Sequence, residues 1–268
     1  MRLQIEYDIK GKNQLLTFNY QYPVSAWIYG IMRNGDEVFS DFLHQKGYAT
    51  EEGKNFKLFC FSGLRFPKGL IKKSKTDPGY LVLRSRKAWI DVSFYLPEQL
   101  EPFVAGLFKQ QDAYIGDKKH VVKMQVSNVE MRKELDFEAG QSYACKTKTA
   151  VVMGETTENE KHEQYIPPLS LNYNTLMLKN IMDKCRSVGL EDVNADDIDF
   201  NVERVSAKTV LQSIKAGTDE ETKVRGYNYT FNLQAPPDVM KLLYATGIGS
   251  MNSLGFGMWE LRKVNKVR

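Results

Sequence analysis

Residues 247–257 read Gly-Ile-Gly-Ser-Met-Asn-Ser-Leu-Gly-Phe-Gly, four glycines in the spacing G-x-G-x5-G-x-G. Glycine is used where φ must be positive or where another chain must approach the backbone closely. Ser250, Asn252 and Ser253 sit between the glycines as small hydrogen-bonding groups. Such a loop exposes backbone N–H groups, and clusters of these bind anions, phosphate foremost. Taken alone, the pattern is equally that of a long turn with no ligand. Two familiar phosphate loops are excluded. No Lys follows a glycine as G-x4-G-K-[ST] requires. A dinucleotide fingerprint opens a βαβ unit, whereas here a helix-like run leads into the loop and a strand-like run follows it.

Three side chains in the first sixty residues could do acid–base chemistry. His44 falls at helical spacing near Ser40 and Asp41, beside a Phe39/Phe42/Leu43 stripe and so within reach of a ligand. Histidine is the usual general base, because its ordinary pKa of about 6.5 lies near neutrality. The commoner reading of a lone histidine is a surface residue with no chemical role. Tyr29 shares a helix face with Ser25 and Arg33; by itself it reads as an anchor at the rim of a core. Lys57 opens a strand-like run, where a lysine is ordinarily just solvated.

These residues need elements to hold them. Leu3, Ile5, Tyr7 and Ile9 alternate with polar residues, which predicts a strand. Pro23 can open a helix, along which Val24, Trp27, Ile28 and Ile31 recur at helical spacing until Asn34-Gly35 breaks it. A second helix runs from about Asp36, with Phe39, Phe42 and Leu43 inward, to Gly47. Strands are predicted over 56–62, 80–84, 88–95 and 121–131, the middle two paired, with a helix over 97–107. The second half repeats the grammar. Residues 154–164 form an acidic, mobile stretch; a helix spans 171–185; strands span 198–205 and 223–233. Pro236-Pro237 caps a helix ending at Thr246, and a last strand covers 256–264. The order β-α-β-β-α-β, twice, predicts an α+β protein of two tandem ferredoxin-like (RRM-like) domains, divided as 1–115 and 116–268.

Composition bounds the function. The chain of 268 residues is 42% apolar, enough for a normal core. No run of about 18 apolar residues predicts a membrane span. The start lacks a signal-peptide core, so a cytoplasmic protein is expected. Cys60, Cys145 and Cys185 are odd in number and far apart, and His44, His120 and His162 are the only histidines. Neither a disulfide framework nor a metal site is expected. The net charge of +4 is uneven: the first 118 residues hold 17 Lys and Arg against 13 Asp and Glu, the remainder 20 against 20. Basic clusters occur at Lys68, Lys72, Lys73 and Lys75; at Arg84, Arg86 and Lys87; and at Arg262, Lys263, Lys266 and Arg268. With nearby aromatics such clusters can track a nucleic-acid backbone; the bland alternative is solvated loop charge.

The run from 247 to 260 resembles the C-terminal glycine-rich loop of the RAMP superfamily, above all the CRISPR-associated endoribonucleases that cut the repeats of a long precursor RNA. Residues 20–29, Tyr-Gln-Tyr-Pro-Val-Ser-Ala-Trp-Ile-Tyr, are similar to that family's first helix. Phe42-Leu-His44 and residues 56–62 are similar to its next helix and strand. Between 88 and 240 the order of elements agrees, but few individual residues do. The resemblance implies tandem RAMP domains with RNA held between or across them, and a cleft shared by Tyr29, His44 and Lys57. RNA brings its own nucleophile, the 2′-hydroxyl. Cleavage needs a base, a cation beside the phosphorane and an acid for the leaving 5′-oxygen, roles that His44, Lys57 and Tyr29 fit without metal or cofactor. Family members differ in where the histidine lies.

The implied function is metal-independent cleavage of precursor CRISPR RNA within its repeats, leaving a 2′,3′-cyclic phosphate and a 5′-hydroxyl. A non-catalytic RAMP-type RNA-binding subunit is the alternative, and a nucleotide or acyl-phosphate enzyme using the loop alone is a third class. The implied partner is CRISPR repeat RNA, bound by Gly247, Gly249, Ser250, Asn252, Ser253, Gly255 and Gly257, with Lys68, Arg84 and Arg86. A CRISPR effector complex and a homodimer stay open as further partners. An edge position for the loop predicts that alanine at Gly249 and Gly255 weakens RNA binding and leaves the fold intact.

Overall fold

The computed structural model describes residues 1–50, 52–155 and 164–262. The strand Arg2–Ile9 buries Leu3, Ile5, Tyr7 and Ile9 on one face, as its alternation requires. It lies at the centre of a five-stranded antiparallel sheet in the order Phe59–Phe61, Lys87–Phe94, Arg2–Ile9, Val121–Met131, Asp112–Gly116. Helices α1 (Gln21–Gly35) and α3 (Pro97–Lys109) contribute to the core on this sheet. α1 presents Val24, Trp27, Ile28 and Ile31 to the core, and Ile28 is wholly buried; burial of such a side chain is worth roughly 1.5–3 kcal/mol. Gly106 lets α3 come close: a Cβ there would lie 1.8 Å from the Ile31 carbonyl oxygen. Helix α2 (Glu37–Gln45) follows α1 directly, and the Asp36 carboxylate caps it by accepting from the Phe39 N–H at 2.9 Å.

The second half builds a four-stranded antiparallel sheet in the order Asp199–Ile214, Thr222–Gln234, Tyr143–Thr147, Trp259–Leu261. Helices α4 (Tyr173–Arg186) and α5 (Pro237–Thr246) share its core. Numbered within each half, both sheets run 2-3-1-4, the ferredoxin-like order, with Asp112–Gly116 as an extra edge strand in the first. The α+β tandem ferredoxin-like architecture is therefore present. On sheet membership we propose a division between Met131 and Tyr143 rather than at 115/116, because antiparallel pairing with Arg2–Ile9 draws Val121–Met131 into the first sheet.

Several expected elements come out differently. Tyr80–Leu83 does not pair with Lys87–Phe94; it joins Gln14–Thr17 and Ile71–Lys73 in a separate three-stranded sheet. Both edges of Lys87–Phe94 are already taken, by Arg2–Ile9 and Phe59–Phe61. The strand expected over 56–62 is broken at Leu58, whose φ is +53°: Phe56 pairs with Tyr48, and Phe59–Phe61 enters the main sheet. Phe42, expected inward, is 39% exposed, while Leu43 is wholly buried. The stretch expected to be mobile begins and ends as a short hairpin, Gly154–Glu155 against Gln164–Tyr165. His162, the middle of that stretch, Lys263, Lys266 and Arg268 lie outside the described residues, as does the expected end of the last strand. Among the described residues no helix is long and apolar enough to cross a membrane.

Candidate active site

α1 and α2 bring Tyr29 and His44 edge to face, ring centroids 5.1 Å apart at 79°. Behind them Tyr29 also meets the buried Phe59 ring at 5.5 Å. The Ser40 hydroxyl donates to the Tyr29 carbonyl at 3.3 Å, fastening α2 to α1 beside the pair. Lys57 arrives from the break between Phe56 and Leu58, and its ammonium donates to the His44 carbonyl oxygen at 2.9 Å. The backbone there is held from α3, where the Gln99 amide donates to the Lys57 carbonyl at 2.7 Å. His44 is exposed, and Tyr29 and Lys57 are half-buried. Burial pushes the Tyr29 phenol up to about 12, against a hydrogen bond with the Ser253 side chain that works the other way. Burial holds the Lys57 ammonium below its ordinary value.

The glycine-rich loop lies along the same helix. The Gln21 amide donates to the Gly255 carbonyl at 2.9 Å, and the Ser25 hydroxyl to the Ser253 carbonyl at 2.6 Å. Gln21, Ser25 and Tyr29 stand at i, i+4 and i+8, so one face of α1 holds both the loop and the tyrosine. All four loop glycines have positive φ and are buried. A Cβ on Gly249 would lie 2.6 Å from the Val152 carbonyl oxygen, and one on Gly255 2.7 Å from the Phe61 ring. The loop is thus packed between the two domains, not laid on an edge. Several of its N–H groups serve the protein: Ile248 donates to Gly257, Ser250 to Val152, Leu254 to Met251 and Gly257 to Ala150. The Asn252 amide is also engaged, donating to the Ile248 and Phe256 carbonyls at 3.0 and 3.1 Å. The outward surface of the loop belongs to residues 250–254, each partly exposed.

Two positions were not singled out from the sequence. Gln21 carries no signal beyond its helical register with Ser25 and Tyr29. Lys184 carries one: Met177, Ile181 and Lys184 fall at i, i+4 and i+7, so a lysine occupies an apolar stripe of α4. It is 1% exposed and donates to the Gly247 carbonyl and Asn252 Oδ1, both at 2.7 Å. Burial pushes its ammonium down to about 7. Lys68, Arg84 and Arg86 are exposed, and among the described residues no hydrogen bond, ion pair or ring contact ties them to Tyr29, His44 or Lys57. Lys87, by contrast, is neutralised by Glu6 and Asp8, and Arg262 pairs with Glu203 at 2.9 Å.

Known proteins resemble this chain along almost its whole length. The chain is 26% identical over 262 residues to the CRISPR-associated endoribonuclease Cas6 1 of Methanocaldococcus jannaschii, covering 96% of this chain and 91% of that protein. The solved structure of the product of a Cas6-related gene from Pyrococcus furiosus superposes with a TM-score of 0.77 at 18% identity, over 99% of each chain. Another, described as an RAMP protein binding different RNA substrates, superposes with a TM-score of 0.78 at 17% identity, over 98% of this chain and 100% of that one. Residues 111–261, more than half of the chain, match the family described as CRISPR associated protein Cas6, C-terminal. The chain belongs to the Cas6 family.

Proposed function

We propose that the protein is an endoribonuclease that cuts precursor CRISPR RNA within its repeats by attack of a 2′-hydroxyl on the adjacent phosphorus. The observation that carries the reading is His44 set against Tyr29, on the α1 face that also holds the glycine-rich loop, with Lys57 bonded to the His44 backbone. The name of the Methanocaldococcus jannaschii relative, an endoribonuclease, supports it.

His44, the exposed member, takes the 2′-hydroxyl proton; the freed oxygen bonds to phosphorus while the bond to the 5′-oxygen breaks. Lys57 places a positive charge beside the phosphorane oxygens. Tyr29, with its phenol pushed up to about 12, keeps its proton at neutral pH and is suited to donate rather than to accept. The departing 5′-oxygen takes the Tyr29 phenol proton, exchange with solvent returns Tyr29 and His44 to their starting forms, and the products end in a 2′,3′-cyclic phosphate and a 5′-hydroxyl. Positioned acid–base groups contribute roughly 10²–10⁴-fold, and a preorganised cation contributes comparably. The RNA runs over residues 250–254 of the loop, with Lys68, Arg84 and Arg86 on its phosphates outside the cut. The protein acts in the cytoplasm on the precursor transcript; its retention in an effector complex is read by co-purification with mature RNA.

Incubation with the cognate repeat RNA in excess EDTA tests the reading. Cleavage should persist, and end-group analysis should find the cyclic phosphate and the 5′-hydroxyl. Activity lost in EDTA and restored by magnesium would contradict it; tight binding with no cut would make the protein an RNA-binding subunit.

A further inference from the structure

Lys184 is a buried amine without a counter-charge to hold its proton. Its two acceptors, the Gly247 carbonyl and the Asn252 amide oxygen, are neutral. The neighbouring carboxylate, Asp183, pairs instead with Lys54 at 3.1 Å and Arg186 at 3.4 Å. Among the described residues no carboxylate lies within ion-pair distance of the Lys184 ammonium. Burying an unpaired charge is strongly unfavourable, and a protein that retains one gains when a ligand brings the opposite charge.

Space for such a ligand lies beside it. A cavity of about 240 Å³ opens between the domains, lined by Lys184, Lys54 and Lys57, by Thr246, and by Ser250 and Ser253 of the glycine-rich loop. Three lysines and three hydroxyl-bearing residues line it, and none of its lining residues is acidic; Lys54 also pairs with Asp183, and Lys57 and Thr246 donate to the His44 and Leu242 carbonyls. Lysine ammonium and serine hydroxyl are among the side-chain donors that contact phosphate, and the volume accommodates a tetrahedral oxyanion. An anion there would also favour the ammonium form of Lys184, which burial and, less, the Lys54 charge hold down.

We propose that this cavity is a phosphate-binding pocket, that its bound anion is the counter-charge of Lys184, and that Lys184 thereby positions a phosphate next to Lys57. The identity of that phosphate as part of an RNA backbone rests on the function proposed above; the pocket's preference for phosphate does not. Lys184 is a positioning residue, since it also braces the loop through Gly247 and Asn252.

Two measurements test it, each on wild type and on Lys184→Met. In the first, thermal melts are compared in inorganic phosphate and in chloride of equal ionic strength. Wild type should show a Tm rise that saturates with phosphate, and the variant none. In the second, a single neutral methylphosphonate is walked through the nucleotides flanking the cut. One position should cost wild type about tenfold or more in affinity, the scale of a lost charge-assisted contact, and cost the variant little. Coupling in the RNA series identifies a backbone phosphate; coupling to inorganic phosphate alone identifies a free anion; either upholds the pocket. Equal responses of both proteins in both series would overturn it. If Lys184→Met does not fold, Asn252→Asp puts a carboxylate where Oδ1 now accepts from Lys184, and should abolish the same responses. Cleavage of unmodified repeat RNA is scored separately, so failure of the pocket and failure of the proposed activity are told apart.

Discussion

At the scale of single residues, the candidate site divides its members by exposure. His44 is exposed and packs edge to face with Tyr29, and Lys57 crosses to the His44 backbone. A group that must take a proton from substrate has to be reachable, and of the three His44 is the most so. His44→Ala should lower the single-turnover cleavage rate by roughly 10²–10⁴ while repeat-RNA affinity stays within a few-fold. An unchanged rate would place the base elsewhere. These three residues were legible in the sequence by chemical type and by resemblance, since helical spacing had already put His44 beside its apolar stripe. Lys184 was legible only as an anomaly, a lysine in register with Met177 and Ile181. Its contacts with Gly247 and Asn252 span more than sixty residues of sequence, and local pattern carries no information on such pairs.

Among the elements, α1 does two jobs with one face: Gln21 and Ser25 hold the loop, and Tyr29 faces the cluster. The loop's glycines are required by the protein's own packing. Gly249→Ala with Gly255→Ala would force two residues into positive φ, at roughly 1–2 kcal/mol each, and press new methyls onto the Val152 carbonyl and the Phe61 ring. The pair should therefore lower Tm by several degrees in a circular dichroism melt, against the intact fold expected from an edge position; wild-type stability would restore that expectation. Lys184 makes α4 pH-sensitive. The unfolded chain holds this proton to about 10.5 and the folded chain to about 7. Between those values the unfolded state binds more protons, so this residue makes stability rise with pH from about 7 upward; below about 7 its penalty is present in full. In phosphate-free buffer, urea titrations should show that rise in wild type and a flatter profile in Lys184→Met. Equal slopes would contradict the shift. Helices and the Arg2–Ile9 strand could be read from periodicity because each buries one face. The break at Leu58 could not, because a leucine at positive φ has no sequence signature. Nor could the partners of Tyr80–Leu83, since sheet order depends on which edges other strands already occupy.

For the molecule as a whole, the site exists because the two domains are fastened together. Arg2, 5% exposed, lies over the Tyr244 ring at 3.7 Å and donates to the Tyr244 and Trp259 carbonyls at 2.7 and 3.2 Å. Asp91 of the first sheet pairs with Lys148 from the second domain and with Arg65 at 3.0 Å. Burial raises the Asp91 carboxyl, but the two cations outweigh it and hold the group below the usual carboxylate range. These ties seat the glycine-rich loop of one domain on the first helix of the other. The repeated ferredoxin-like order was legible from the succession of elements; the interface was not, because Arg2 and Asp91 meet partners 242 and 57 residues away. What the assembled cleft is for comes down to the nucleophile. A repeat RNA with one 2′-deoxy nucleotide immediately before the cut should bind like the unmodified RNA, since phosphate contacts dominate affinity, and should not be cleaved at that bond. Cleavage of the deoxy substrate at an undiminished rate would show that water, not the 2′-hydroxyl, attacks, and would contradict the account.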